Sequence, residues 1–159
     1  MVPRMTGTPS LESLLADSGL ADKAQSLGDN LVRLQWGSAF VIVGISGSAI
    51  VAIAPLFREV PNEKLSVFYR KLLEHNGHMG GMAAFAIQPD GWVVLHAGRP
   101  IKGIDGAEFA TLVASVGKFA DEFDDKLIAE FYGQQREATN QGPDASQAIR
   151  TAAENAATD

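Results

Sequence analysis

The chain has 159 residues, of which 46% are hydrophobic and 20% charged, with a formal charge of -6 and no cysteine. This length fits one domain that can fold without a disulfide or a metal, and the missing thiols exclude disulfides, Cys-ligated zinc, iron–sulfur clusters and a Cys nucleophile. An acidic chain is also poorly suited to non-specific nucleic-acid binding, which depends on Lys and Arg, so basic or apolar protein surfaces are the expected partners.

The N-terminal segment predicts a helix and no targeting signal. Thr8 can cap this helix, with Pro9 at its first position. The helix ends near Gly19 or continues to Gly28, and one of its faces carries three leucines: Leu11, Leu14 and Leu15. Because no apolar run follows Arg4, we expect no secretory signal peptide and a cytoplasmic protein.

Residues 39–57 carry no charge and are long enough to resemble a membrane span. The turn signal Ser46-Gly47-Ser48 interrupts them, however, and the runs on either side are rich in β-branched residues. A hairpin of two buried strands explains this pattern better than a helix does, and a small protein anchored in the membrane by 39–57 stays as an alternative. The alternating residues 30–36 add a third strand to a meander.

The remaining elements predict two helices on either side of a second hairpin. Helical spacing follows Pro61 and ends at Gly77, and the apolar or aromatic positions of this helix are Leu65, Phe68, Tyr69, Leu72 and Leu73. Residues 82–87 and 92–96 are strands joined by a turn at Pro89 and Gly91. Asp105 opens the longest helix, which Gly133 ends.

These elements predict an α+β fold in the order α-β-β-β-α-β-β-α, with a five-stranded antiparallel sheet packed by helices. The predicted domain spans residues 10–133, after a flexible N-terminus at 1–9. Residues 134–159 are polar and rich in alanine, with Ile149 as the one large aliphatic residue, so a disordered tail is expected.

The sequence contains no recognisable arrangement of catalytic or metal-binding residues. His75 and His78 lie across a helix end and lack a third ligand nearby. The glycines that follow them lead from a helix to a strand, whereas a phosphate-binding loop leads from a strand to a helix. We therefore expect a binding protein that is not an enzyme and that needs no metal and no cofactor.

The predicted meander is apolar on both faces, whereas a sheet covered by helices on one side should alternate. A helix of the same chain, a second subunit or a partner segment must cover the other face. Trp36 and Trp92 are amphipathic anchors of the kind enriched at interfaces, or simply core residues.

The acidity is concentrated in residues 104–133, which carry seven acidic and two basic side chains. A solvated helix face is the simpler interpretation, and a surface that attracts basic partners is the alternative.

The stretch from Phe68 to Asn76, the strand 82–87 and the Asp-Gly turn leading to the strand 92–95 resemble the YbjN-like proteins and the class I type III secretion chaperones. The resemblance covers residues 10–133. It implies a small, acidic, usually homodimeric bacterial protein that binds an extended or partly unfolded segment of another protein. For the YbjN-like proteins it implies instead a regulator of stress or sensory signalling.

We therefore expect a chaperone or adaptor that binds a segment of a client protein. The acidic side chains of the last helix favour a client with a basic surface, for example a nucleic-acid-binding protein, with no direct contact to nucleic acid. The predicted apolar client contacts are Leu11, Leu14, Leu15, Trp36, Phe40, Ile42 and Trp92. The predicted acidic client contacts are Asp121, Glu122, Asp124 and Asp125. The predicted dimer interface comprises Phe68, Tyr69, Leu72 and Phe85.

Overall fold

The computed structural model of the chain describes residues 7–133 and 148–150. The helices are α1 (Leu11–Ser18), α2 (Leu65–His78) and α3 (Gly106–Leu127), and the strands are β1 (Ala24–Gly28), β2 (Leu31–Trp36), β3 (Ala39–Ser46), β4 (Ala49–Phe57), β5 (Ala84–Ile87) and β6 (Val93–Pro100). Within the described residues, the six strands form one antiparallel sheet in the order β1-β2-β3-β4-β6-β5. The predicted α+β class is confirmed, with six strands instead of five. Residues 1–6 and most of the predicted tail lie outside the described residues.

The strand that the sequence did not predict is β1, at the edge of the sheet. Its sequence has no apolar alternation, and four of its five residues are exposed. It pairs with β2, with Ala24 opposite Leu34, and the register shifts between Ser26 and Gly28. The free backbone groups of β2 explain why this polar segment is extended, since an edge strand needs hydrogen bonds more than it needs side-chain burial.

The starts of α1 and α3 follow local capping chemistry, with one correction to the predicted cap. Ser10, and not Thr8, caps α1 through a reciprocal pair of hydrogen bonds with Ser13. Gly19, with a φ of +76°, ends this helix in the left-handed conformation. The carboxylate of Asp105 accepts from the Glu108 N–H at 2.9 Å, as the sequence predicted.

Helices α2 and α3 pack against one side of the sheet, which we call the inner face, and α1 packs on α3 at the same core. Phe109, Leu112, Val113 and Val116 of α3 are completely buried there. Asn76 fastens α2 to the sheet, because its side chain accepts from the Phe85 N–H at 2.6 Å and donates to the Phe85 carbonyl at 3.3 Å. The main core therefore lies between the inner face and the helices.

The apolar segment 39–57 forms the hairpin β3–β4, as the sequence predicted. Gly47 supplies the turn with a φ of +58°, and Ile45 is paired with Ile50 across it. In the part of the chain that the structure describes, no helix is long and apolar enough to cross a membrane.

Helix α3 continues into a wider π-type turn from Ile128 to Tyr132, and Gly133 follows it. The Tyr132 ring stacks on Phe57 with 4.2 Å between centroids, and its hydroxyl donates to the Glu59 carbonyl at 2.8 Å. These contacts fix the end of α3 to the loop after β4. Burial raises the pKa of Tyr132, so the hydroxyl stays protonated as a donor.

Candidate functional site

The side of the sheet opposite the helices, which we call the outer face, is also apolar. Strand register brings its residues together, since Ile42 is paired with Ile53 and Ile53 with His96. The apolar cluster on this face includes Leu31, Ile42, Ala49, Val51, Ile53, Trp92 and Val94. This cluster is separate from the main core. The apolar residues on both faces of the predicted meander are therefore real features of the sheet.

Part of the outer face is covered by residues 148–150 of the same chain, which form a helical turn. Ala148 and Ile149 are each only 3% exposed and belong to the outer-face cluster. These three residues therefore have a defined place within the stretch for which the sequence predicts a disordered tail. The physical reason is that the lone large aliphatic residue of the tail finds an apolar surface.

Glycine at position 44 creates the space that Ile149 fills. A β-carbon added to Gly44 would lie 2.9 Å from the Ile149 Cγ2 and 3.0 Å from the Leu31 Cδ1. A side chain at position 44 would therefore displace Ile149. We call this depression beside Leu31 the Gly44 notch.

The turn at 148–150 makes one polar contact with a buried side chain. The Gln88 amide nitrogen donates to the Ala148 carbonyl at 3.4 Å, which is long for a hydrogen bond of this kind. Gln88 is the one polar residue in the buried set of the described chain. Its place beside the occupied surface was not predicted, because the sequence indicated only a turn there.

A shallow cavity of about 270 Å³ lies at one end of the outer face, between the ends of β4 and β6. Its lining comprises Ser48, Ala49, Val51, His96, Gly98, Arg99 and Pro100. Burial lowers the pKa of His96, so this imidazole favours its neutral form. The cavity borders the outer-face cluster at Ala49 and Val51, and its lining adds the polar side chains of Ser48, His96 and Arg99.

The predicted apolar client contacts divide between the two faces. Phe40, Ile42 and Trp92 lie on the outer side, and the guanidinium of Arg33 lies 4.0 Å from the Phe40 ring centroid. Four others belong to the core or pack against it on the inner side: Leu11, Leu14, Leu15 and Trp36. The sequence could not separate these two groups, because hydrophobicity alone does not say which face of a sheet a helix covers.

Trp36 is held against α3 at a glycine. A β-carbon on Gly117 would lie 2.6 Å from the Trp36 Cδ2, so only glycine lets the indole approach the helix this closely. This contact was not predicted, since Gly117 appears in the sequence only as one position of an apolar helix. Trp36 therefore packs against the structure of the domain itself.

Two of the predicted acidic contacts bind the turn between β2 and β3. Asp121 accepts from the Ser38 N–H and from its hydroxyl, each at 2.8 Å, and these bonds lower the pKa of Asp121. The Oδ2 of Asp124 lies 3.0 Å from the same hydroxyl and shares its single hydrogen with Asp121, and burial raises the pKa of Asp124. Glu122 pairs with Lys126 at 3.4 Å on the exposed surface. A structural role is thus visible for part of the acidic stretch.

The predicted dimer residues are mostly buried in the chain itself. Phe68, Leu72 and Phe85 belong to the main core, which leaves Tyr69 as the residue of the four with an exposed side chain. The exposed apolar residues of α2 that share one side at i, i+4 and i+8 are Leu65, Tyr69 and Leu73, and we call them the α2 row. Val67 is also exposed, but it lies on another side of the helix, beside Arg70 and Glu74. Leu73 is 69% exposed and Val67 52%. The helical period of α2 was predicted correctly. The dimer interface stays a prediction, and three of its four residues are buried within the chain.

His75 and His78 do not form part of a metal site in the described residues. No group of three or more His, Asp or Glu side chains that could hold a metal ion occurs in 7–133 or 148–150. The His75 ring instead packs 4.3 Å from that of Phe123.

Comparison with known proteins gives a family and two similar folds. The model of the Tir chaperone protein (CesT) family matches residues 10–120. The structure of the ExsC–ExsE complex has a similar chain, with a TM-score of 0.54 and 17% identity over 74% of this chain and 96% of that one. A chain of the heterodimeric ExoU–SpcU complex, from the type III secretion system of Pseudomonas aeruginosa, aligns with a TM-score of 0.56 and 19% identity over 72% and 95%. No curated protein sequence matches significantly.

Proposed function

Since the chain belongs to the Tir chaperone protein (CesT) family, we propose that it is a non-enzymatic chaperone that binds a segment of a client protein. The observation that carries the proposal is the apolar outer face, on which a short peptide segment is seated in the structure. Two similar folds come from complexes of two different proteins, which supports a protein as the partner. Binding of this kind needs apolar burial and backbone hydrogen bonds, and no reacting group.

Client capture tests this proposal. The chain is immobilised and incubated with native extract, and proteins that co-purify are identified at low and at high salt. A matched variant, Phe40→Asp, places a charge on the partly exposed rim of the outer face and should abolish capture. The control is Leu27→Asp, at a residue 42% exposed on the edge strand β1. The proposal fails if no protein is captured reproducibly, or if Phe40→Asp captures the same proteins as the wild type.

The finer proposal is that the client is basic. The acidity of residues 104–133 supports it, although Asp121 and Asp124 also hold Ser38. A contact through acidic side chains weakens as salt rises, whereas apolar burial does not. Capture that survives high salt would contradict this part and would leave the outer face as the contact.

The client's identity also separates a role in secretion from a regulatory role in stress or sensory signalling. Each role implies a different kind of protein in the captured fraction.

Fractionation of the extract before capture tests the predicted cytoplasmic location against the membrane alternative for residues 39–57, because an anchored chain would sediment with the membranes.

We also propose that the chain forms a homodimer through the α2 row. This row presents apolar side chains to solvent next to the buried side of α2, which Phe68 and Leu72 form. Leu73→Glu should convert a dimer to a monomer in light scattering at micromolar concentration. Because Leu73 is 69% exposed, the melting temperature of the monomer should change little. A wild-type chain that is already monomeric would remove this proposal.

A further inference from the structure

The segment at 148–150 sits where the proposed function places a client. We propose that this segment is an internal competitor, so that a client must displace Ile149 from the Gly44 notch before it can bind the outer face. The inference rests on the proposed function, because it concerns access to the same surface.

The notch and its occupant fit each other closely. Gly44 and Leu31 form the walls of the depression, and the Ile149 side chain fills it with 3% of its surface exposed. The fit depends on a missing side chain at position 44, since any β-carbon would collide with Ile149. A surface of this shape accepts one aliphatic side chain at a defined place.

The occupant has the properties of a ligand that can leave. The segment contributes two apolar side chains, Ala148 and Ile149, to the outer-face cluster, and its carbonyl at Ala148 accepts one long hydrogen bond from Gln88 at 3.4 Å. Burial of one side chain like Ile149 corresponds to about a tenfold to hundredfold change in an equilibrium constant, before ordering costs are subtracted. The covalent connection keeps the segment at a high effective concentration, and this compensates for weak contacts.

The seated segment also indicates the chemistry of a suitable client. It is a helical turn with a small residue followed by a β-branched aliphatic one, Ala148 and Ile149. A client segment with the same pair could place its aliphatic side chain in the notch and accept a hydrogen bond from Gln88. Competition lowers the apparent affinity for the client, which equals the intrinsic affinity multiplied by the fraction of chains whose notch is open.

A labelled peptide tests the competition without any client. The probe is a fluorescein-labelled synthetic peptide with the sequence of residues 143–156, titrated into the full-length chain by fluorescence anisotropy. Full-length Ile149→Asp should release its own segment and bind the probe at least about tenfold more tightly than the wild type does. A probe carrying the same Ile149→Asp change is the matched control and should bind neither chain.

A locked chain gives a second, independent test. The natural chain has no cysteine, so Gln88→Cys with Ala148→Cys gives a unique pair that a short bis-maleimide can link. The linked chain should not bind the probe, whereas the same double variant before linking should bind it. Comparing these two forms of one variant removes the effect of losing the Gln88 amide. Thermal melts of each variant confirm that the fold is retained, and a variant that fails to fold leaves the decision to the other test.

The inference is wrong if the wild type and Ile149→Asp bind the probe equally, or if the linked chain still binds it. It is also wrong if Ile149→Asp turns a dimer into a monomer while Leu73→Glu does not, because the segment would then come from a second copy. Failure of the proposed function is distinguishable, since it would appear as absent client capture by Ile149→Asp and wild type alike, even with the peptide results as expected.

Discussion

Substitution of Gly117 by alanine tests how firmly Trp36 is fixed to α3. In most helices this change is favourable, because alanine has a higher helix propensity than glycine by about 1 kcal/mol. Here the added carbon would lie 2.6 Å from the Trp36 Cδ2 and 2.9 Å from its Cβ. These atoms are at the base of the indole side chain, which cannot move without moving β2.

The net effect follows from two opposing terms. Overpacking of a well-filled core costs about 1–3 kcal/mol, and the rigid position of Trp36 places Gly117→Ala at the upper end of this range. After the gain of about 1 kcal/mol in helix propensity, the free energy of unfolding should fall by about 2 kcal/mol. For a chain of this size, that corresponds to a melting temperature lower by about 4–8 °C.

Thermal and urea unfolding of purified chains measure the effect. The matched control is Gly77→Ala on α2, where an added β-carbon meets no atom within 4 Å. This control should raise the melting temperature, because only the helix propensity changes. If Gly117→Ala is stabilised in the same way, Trp36 is not packed on α3, and it returns as a candidate client contact.

Three further predictions concern individual polar groups. Asp121→Asn should reduce the loss of stability in acid. The lowered pKa of Asp121 stabilises the fold above pH 3.8, and this contribution disappears as the pH falls through the pKa of the folded chain. Urea unfolding between neutral and acidic pH measures the effect, and an unchanged dependence of the unfolding free energy on pH would contradict the Ser38 contact. His96→Asn should remove a decrease in stability below pH 6.5, because the unfolded chain takes up a proton there that the buried imidazole resists. The same titration measures it, and a decrease that persists in the variant would contradict the role of His96. Tyr132→Phe should lower the free energy of unfolding by about 0.5–1.5 kcal/mol, since it removes the 2.8 Å bond to the Glu59 carbonyl, and a neutral result in urea unfolding would contradict that bond.

Local signals in the sequence predicted much of the fold. The cap at Asp105, the turn at Gly47 and the helical period of α2 each depend on residues within one or two turns of chain, and the structure has all three. The strand β1 was missed because its residues carry no apolar pattern. Its conformation depends on hydrogen bonds to β2 and not on its own side chains.

The candidate site was less predictable because its parts are distant in sequence. Phe40, Ile42 and Trp92, three of the predicted apolar client contacts, lie together on the outer side, and their role in client binding stays a prediction. The leucines of α1 were placed in the same group, although they face the core. A period of two or of 3.6 residues identifies an apolar side of an element but not the element that covers it.

The sequence by itself determined that the sheet would have two apolar faces and that the tail held a single large aliphatic residue, Ile149. Hydrophobicity and strand period are local properties, so they can be read along the chain. Only the tertiary structure decided that Ile149 fills the notch at Gly44, more than a hundred residues away. That contact depends on the space left by a missing side chain, and such a space exists only after the strands have paired and the sheet is closed against its helices.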